Sequence, residues 1–391
     1  MTRFRPDSRC ISFYALGFAI AASACGGEVA SSGSSGASPF DAANVNLSPS
    51  DCALPETLAT FTADSDAGSQ LVSFSSMAIG SDGTVFVSSF APALPAGASA
   101  GLPLGILAIP PDGGAPRSVT SDKRTAFGNV WVVGNSLYTF AFVYSGPTLS
   151  VVPANGAAPA QPIWSVASVS MIGYALDATG FYYASVASSA GDAGTSLSIT
   201  RVSLDGTVVT TLGSSDVPST TLGGSNVFLD EESIYLVDGE GLWSMPKGGG
   251  TITHVRSDVQ ASVDFSGLPT AAQSGTEFFA VGASSGLARF TPDPNVPPDP
   301  IAIASSAPWT NATPAAIVGD GQGVYALFTS GGSVSAPLVI GSVAGEKPQS
   351  LACFLQAGPQ SVQTMAIDAT YVYFSVQRSE NLEIDVVRMH R

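Results

Sequence analysis

Histidine is nearly missing from this chain, and charge is scarce. Its 391 residues hold two histidines and only 11% charged side chains. A base titrating near neutrality would have to be His254, in the run ITHV, or His390, one residue from the C-terminus. Neither position carries the pattern of a base held by a third group, so no catalytic residue is assigned. Lysine and arginine number 14 against 30 acidic residues, a formal net charge of −16, and no basic run occurs. Such a chain repels polyanions, which excludes nucleic acid as a partner. No CxxC pair is present to suggest a zinc or redox site. The stretches GDAGTS near Asp192 and TPDPNVPPDP from Thr291 lack the ligand spacing of a calcium loop, and KGGGT lacks the lysine and hydroxyl order of a P-loop. No metal and no cofactor are assigned.

One long apolar run exists, Ile11 to Ala24, preceded by Arg3, Arg5 and Arg9. It is shorter than the ~20 residues of a membrane-spanning helix. With its basic start and small-residue end it reads as a signal peptide over residues 1–24. Removing it takes the net charge from −16 to −18, because three arginines leave with only Asp7. The run ASAC, Ala22 to Cys25, resembles the lipobox of bacterial lipoproteins. That resemblance implies a lipid on Cys25 and a chain anchored in the bacterial cell envelope; Gly26 after the cysteine implies the outer membrane. Cleavage near Ala24 to give a secreted protein is the alternative. Residues 25–50, rich in Ser, Gly and Ala, read as a flexible tether. Of the remaining cysteines, Cys10 leaves with the signal, and Cys52 and Cys353 are left for a disulfide in an oxidising compartment.

The body of the chain, residues 51–391, reads as all-β. Its 42 glycines and 27 prolines punctuate short apolar runs, which is the composition of many strands joined by tight turns. The segment IYLVDGEGLWSMPKGGG from Ile234 has relatives elsewhere: MAIGSDGTVFVSSF from Met77, VWVVGNSLYTFAF from Val130, IGYALDATGFYYASV from Ile172, EFFAVGASSGLARFTP from Glu277, AAIVGDGQGVYALFTS from Ala315 and MAIDATYVYFSVQ from Met365. Tyr138, Tyr182, Tyr235, Tyr325 and Tyr373 recur at intervals of 44, 53, 90 and 48, the longest spanning the divergent copy near Phe279. A period of about 45 is the length of one four-stranded propeller blade. The expected fold is therefore a β-propeller of seven four-stranded blades, with six as the alternative. The last copy stops after three strands, and Leu54–Ala63 is placed to supply the fourth and close the ring.

The tetrapeptide YLVD, Tyr235 to Asp238, stands where the YWTD class of propeller repeats has its signature, and the repeat as a whole resembles YWTD and NHL-like propellers. Over residues 54–391 it is similar to surface lipoproteins of bacteria built from such repeats. The carboxylates after each first strand, Asp82, Asp177, Asp230, Asp320 and Asp368, read as turn caps and not as a metal ring. Ligand-binding candidates lie in loops between blades: Trp309 and Asn311, Asp264, and the one basic pair, Lys123 and Arg124. Asp216 is placed in the same set of loops. The function expected is a non-catalytic scaffold binding an envelope protein or a glycan, monomeric and held to the membrane by its lipid. A metal-dependent hydrolase or lyase at the channel mouth is the alternative.

Closing a loop between positions 52 and 353 is worth about 4 kcal/mol on the chain-entropy model. Cys353→Ala is therefore expected to melt several degrees below wild type under oxidising conditions and together with it in dithiothreitol. Equal melting in both conditions would mean that no disulfide forms.

Overall fold

The computed structural model describes residues 45–47, 53–62, 73–90, 105–120, 128–143, 146–166, 169–188, 195–217, 225–261, 268–282, 286–305, 312–330, 338–344, 350–353, 360–378 and 383–391. They form strands throughout. β1 (Val45–Leu47) lies inside the segment read as a tether, and β2 (Glu56–Phe61) follows it. The first sheet is β3 (Ser73–Ile79), β4 (Val85–Phe90), β5 (Gly105–Ile109) and β6 (Arg117–Thr120). The second is β7 (Asn129–Val133), β8 (Ser136–Val143), β9 (Gly146–Pro153) and β10 (Gln161–Ser165). The third holds the longest strands, β11 (Ser170–Asp177), β12 (Gly180–Ser188), β13 (Thr195–Val202) and β14 (Val209–Val217). The fourth is β15 (Asn226–Leu229), β16 (Ser233–Val237), β17 (Leu242–Pro246) and β18 (Thr253–Arg256). The fifth, from the most divergent repeat, is β19 (Ala271–Ser274), β20 (Glu277–Val281), β21 (Leu287–Phe290) and β22 (Asp299–Ile301). After the short β23 (Ile303–Ser305), the sixth is β24 (Ala312–Asp320), β25 (Gly323–Ser330), β26 (Leu338–Ala344) and β27 (Ser350–Cys353).

These six sheets are each built from consecutive antiparallel strands. A further four-stranded sheet is composite: β28 (Gln360–Ile367), β29 (Tyr371–Arg378) and β30 (Glu383–His390) take β2 as their outer strand. β2 runs antiparallel to β30, with Glu56 opposite Arg388 and Phe61 opposite Ile384. The N-terminal strand thus completes the last sheet, as the truncated final repeat requires. Thr60 donates its hydroxyl to Asp385 at 2.7 Å, and buried Asp385 pairs with Arg378 at 2.5 Å. Arg388 forks onto Glu56 at 2.8 and 3.1 Å.

The sheets pack face to face around a circle. One cluster joins Phe86 and Ile106 to Val130 and Leu137 of the next sheet. Another joins Trp131 and Phe140 to Tyr174 and Phe181, with ring centroids of Phe140 and Phe181 5.0 Å apart. Further clusters link sheets three and four through Tyr182 and Trp243, and four and five through Phe228 and Phe278. β19 lies against β24, Tyr325 and Met365 share the cluster between sheets six and seven, and Phe61 packs with Phe74 to join the composite sheet to the first. Inner strands are buried on both faces, which is why β5 reads as an unbroken apolar run, whereas outer β14 is largely exposed. β14 also corrects one placement: Asp216 belongs to this strand, opposite Ser196, because the Val/Thr run keeps pairing with β13 beyond the expected loop start.

A second contact repeats between sheets. The turn from third to fourth strand rests on the outer strand of the preceding sheet. Gly114 N–H bonds Leu58 O at 3.2 Å and Gly250 N–H bonds Leu212 O at 3.0 Å. Gly206, at φ +72°, lies so close to β10 that a Cβ would overlap the Ile163 carbonyl oxygen. Sheet five has no glycine in this turn, and there Arg256 from β18 reaches over instead, donating to Thr291 O at 2.6 Å and Val296 O at 3.0 Å.

Gly206→Ala therefore suffers both left-handed backbone strain and a collision. Gly134→Ala, at φ +57° with open space around it, suffers strain alone. Urea denaturation should show a loss of about 1 kcal/mol for Gly134→Ala and about 3 kcal/mol for Gly206→Ala, where overpacking adds. Equal losses would remove the inter-sheet contact from the account.

Candidate functional site

The two ends of the sheets use their polar groups differently. At one end lie the tight turns after each first strand and after each third strand. Here Asp82 accepts Thr84 N–H at 2.9 Å, and Asp177 accepts Thr179 N–H at 2.7 Å and Gly180 N–H at 3.2 Å. Asp230, Asp320 and Asp368 cap their turns in the same way, each taking two backbone N–H groups. The Thr84 N–H holds the Asp82 carboxyl below the usual range. Burial pushes Asp177 upward, but the Lys247 ammonium and Thr179 outweigh it and the net shift is down. Lys247 sits 2.5 Å from Asp177 and 2.7 Å from Asp230 O, tying the first turns of sheets three and four together. Arg391 does the same for sheets six and seven, reaching Asp320 and Asp368 O, both at 2.7 Å.

The recurring tyrosines also serve this end. Tyr373 donates to Asp368 at 2.7 Å, Tyr182 shares a 2.7 Å bond with Thr179, and Arg391 donates to Tyr325 at 3.1 Å. Their rings are buried between sheets, and their hydroxyls reach the polar turns. Burial, then the Asp368 charge, push the Tyr373 phenol upward. Among the described residues no three His, Cys, Asp or Glu converge as metal ligands.

The opposite end receives the connections between second and third strands and those from one sheet to the next. The innermost strands enter from it, and four of them carry a bulge at the same place, at Ser75, Ile172, Ala315 and Gln363. At Ser75, Ile172 and Gln363 the extra residue turns its backbone or side chain toward a neighbouring sheet. Ser75 donates to Gly128 O at 3.1 Å, Ile172 O accepts Ser225 N–H at 2.6 Å, and Gln363 Oε1 accepts Phe74 N–H at 2.8 Å. Asn226 donates to Thr270 at 3.2 Å. The result is a girdle of uncharged hydroxyl and amide groups around the ring at its loop end.

Sheet four adds ionisable groups on this side. Asp238 ends the YLVD run and is fully buried. Its Oδ1 accepts Glu240 N–H at 2.8 Å and Gly241 N–H at 3.1 Å, while its carbonyl accepts Ala261 N–H at 2.9 Å. Its Oδ2 and the indole Nε1 of Trp243 are both buried, and the indole N–H, like the two backbone donors, favours the ionised carboxyl. Desolvation dominates over the two backbone donors and raises the Asp238 carboxyl to about 6. His254 stacks on Trp243 with centroids 4.1 Å apart, and its Nε2 lies 3.2 Å from Glu240 O. His390 lies 3.1 Å from Arg391 O through Nδ1. Neither histidine has an Asp or Glu side chain as a hydrogen-bond partner among the described residues.

In the order of the chain, Lys123 and Arg124 stand between β6 and β7, Asp264 between β18 and β19, and Trp309 and Asn311 between β23 and β24. All five lie outside the described residues, as do Cys25 and Cys52; Cys353 ends β27, with its side chain likewise outside. The groups that sequence reasoning passed over are Asp238 and Arg256. Asp238 was visible as the last residue of YLVD, but its burial was not. Gly282 to Gly286 reads G-A-S-S-G, the spacing of a nucleophile elbow. It connects β20 to β21 in a hairpin, not a strand to a helix as that motif requires.

No protein-family model and no curated protein sequence matches this chain. Solved structures do. An oligogalacturonate lyase in complex with manganese is similar over 86% of this chain and 97% of its own, at 10% identity and a TM-score of 0.52. The β-propeller domain of the Trilobed protease from Pyrococcus furiosus, described as having an open velcro topology, is similar over 81% and 93%, at 9% identity and a TM-score of 0.50. The fold is a β-propeller. At such identities the likeness concerns the propeller scaffold alone.

Within the propeller, Asp238 makes a pH prediction with a definite sign. Its folded value is raised from 3.8 to about 6, so the folded state binds the proton more tightly than the unfolded chain. Asp238 therefore opposes folding when ionised, and this penalty is relieved as pH falls from about 7 toward 4. Asp238→Asn keeps the Oδ1 acceptor and removes the titration. Wild type should gain about 2.5 kcal/mol on the variant between pH 7.5 and pH 4. Parallel stability curves would show that the buried carboxyl does not titrate in this range.

Proposed function

We propose that the protein is a non-catalytic β-propeller of the bacterial cell envelope, anchored by lipid at Cys25, whose loop end binds an envelope protein or a glycan. Counting the composite sheet as a blade gives a ring of seven, and a Cys52–Cys353 disulfide secures its closure. The observation that carries the reading is the difference between the two ends of the sheets. At the turn end, carboxylates, lysine and arginine are taken up in capping turns and in joining neighbouring sheets. The loop end is where the second strand of each sheet ends and the first begins, and the uncharged polar girdle lies there. A rigid ring with variable loops on one end is the arrangement that recognition surfaces use. Trp309, in a proline-bordered loop, is the anchor in this reading, and Lys123 and Arg124 supply the one basic contact.

The test uses the full-length protein extracted in detergent without chelator. Metal content is measured by mass spectrometry, and binding is measured to peptidoglycan fragments, to lipopolysaccharide and to purified envelope proteins. The reading predicts a metal-free protein and saturable binding to one of these, weakened at least tenfold by Trp309→Ala at unchanged melting temperature. A stoichiometric metal lost on Asp264→Ala or Asn311→Ala, with turnover of a glycan or ester, would overturn it in favour of a metal-dependent hydrolase or lyase at the channel mouth.

A further inference from the structure

The third-to-fourth turns of sheets one to four share one geometry. In each, a glycine N–H closes a four-residue turn: Gly113 onto Pro110 O at 3.0 Å, Gly156 onto Pro153 O at 2.8 Å, Gly206 onto Ser203 O at 2.8 Å and Gly249 onto Pro246 O at 2.9 Å. All four glycines have positive φ, and a Cβ on any of them would meet the preceding outer strand, at Leu58 O, Val119 O, Ile163 O and Leu212 O respectively. The residue before the glycine differs: Asp112, Asn155, Asp205 and Gly248. Of the four turns only that of sheet two puts a carboxamide there, and Asn155-Gly156 is the one Asn-Gly pair in the sequence.

We infer that Asn155 is a site of self-modification, at which the Gly156 amide displaces ammonia from the Asn155 side chain and an aspartyl or isoaspartyl residue results. A solvent base takes the Gly156 amide proton, the Gly156 nitrogen bonds Asn155 Cγ, and the Cγ–Nδ2 bond breaks. Nδ2 leaves as ammonia with a proton from water, and a five-membered succinimide remains. Water then adds at one of the two ring carbonyls, and the bond from that carbon to the Gly156 nitrogen breaks. Opening at Cγ gives aspartate; opening at the main-chain carbonyl gives isoaspartate.

The turn favours this chemistry. Asn155 and Gly156 are exposed, so base and water reach them. Asn155 Oδ1 accepts Ala157 N–H at 3.0 Å, which folds the carboxamide back along the Gly156 peptide and stabilises the negative charge that gathers on Oδ1 as the ring closes. Gly156 has no Cβ to hinder the approach. One bond stands against it, from Gly156 N–H to Pro153 O, and an exposed turn is among the first segments to open. Asn135 and Asn295, also exposed, precede Ser136 and Val296, whose side chains crowd the attacking nitrogen.

The repeat indicates what each product does. Aspartate at 155 recreates the Asp-Gly turn of sheets one and three, and in sheet three Asp205 accepts Thr207 N–H at 3.1 Å as Asn155 accepts Ala157 N–H. Isoaspartate inserts a methylene into the backbone immediately before Gly156. That glycine sits against Val119 O of β6, and Arg117 of the same strand donates to Ala154 O at 2.9 Å. The isoaspartyl product displaces the turn from β6 and loosens the seam between sheets one and two, whereas the aspartyl product leaves it closed. The reaction uses only this turn and water, and does not rest on what the loop end binds.

Ageing the full-length protein tests it. Samples are held at pH 8.5, one folded and one unfolded in urea, and mapped by peptide mass spectrometry, with a protein isoaspartyl methyltransferase as the probe for isoaspartate. In the folded sample the amide-to-acid mass change should come at Asn155 ahead of Asn135 and Asn295, with isoaspartate in the same peptide, and more slowly at pH 6. Each product carries one more negative charge than the parent, so anion exchange isolates it. The isoaspartyl fraction should melt several degrees below the parent, and Asn155→Asp should melt with the parent. Asn155→Gln, whose cyclisation needs a six-membered ring, should lose the mass change. An Asn155 that stays intact in the folded protein while the urea-unfolded chain converts would overturn the site. An isoaspartyl fraction that melts with the parent would overturn its effect on the seam.

Discussion

A four-stranded sheet with apolar residues on both faces cannot be soluble alone, and this constraint governs the molecule. Tyr182, Phe181 and Leu197 on one sheet, or Phe278 and Phe279 on another, are covered only because a neighbouring sheet stands on each side. Each large side chain so covered contributes roughly 2 kcal/mol. A ring is the arrangement in which every sheet has two neighbours. Closure by β2 is therefore a requirement of the core and not an ornament on it: Phe61 and Leu58 complete the cluster that also covers Phe74 and Met77.

Polar chemistry is fitted around this core with little waste. The aspartates that follow the first strands cap their turns, and the second carboxylate oxygens of Asp177, Asp320 and Asp368 meet Lys247, Arg391 and the Tyr373 hydroxyl. Where a third-to-fourth turn has glycine, the backbone itself approaches the preceding outer strand. Where it reads Pro-Asp-Pro-Asn, a buried arginine spans the gap, its guanidinium held by Asp258 at 2.8 and 2.9 Å. The same junction is thus made by two chemistries, a glycine backbone N–H in one case and a guanidinium in the other.

Function follows the same division of labour. Turn-end carboxylates are engaged in structure, whereas the loop end joins bulged inner strands, amide and hydroxyl groups, and one buried acid in sheet four. Asp238 illustrates how a repeat position takes on a particular character. The equivalent place elsewhere holds Ser89, Ser185 or Phe328, all without charge. In sheet four it holds a carboxylate that organises its own loop and, through its carbonyl, the start of the connection carrying Asp264.

Much of the architecture was legible in residue order. The period of about 45, the hairpin turns and the truncated final repeat implied four-stranded units and an N-terminal closing strand, because strand alternation and turn chemistry are local properties. The turn role of Asp177 or Asp368 was readable for the same reason: its partners lie two and three residues away. What local order could not supply were contacts between residues far apart. The burial of Asp238, the reach of Arg256 into the next sheet, the pairing of Val45–Leu47 with Ile303–Ser305 and the extension of β14 through Asp216 each depend on a neighbour distant in the chain. The sequence by itself determined the repeating unit and its number of strands; only the tertiary structure decided which sheet each unit meets, and hence which of its polar groups are buried, bridged or left at the loop end.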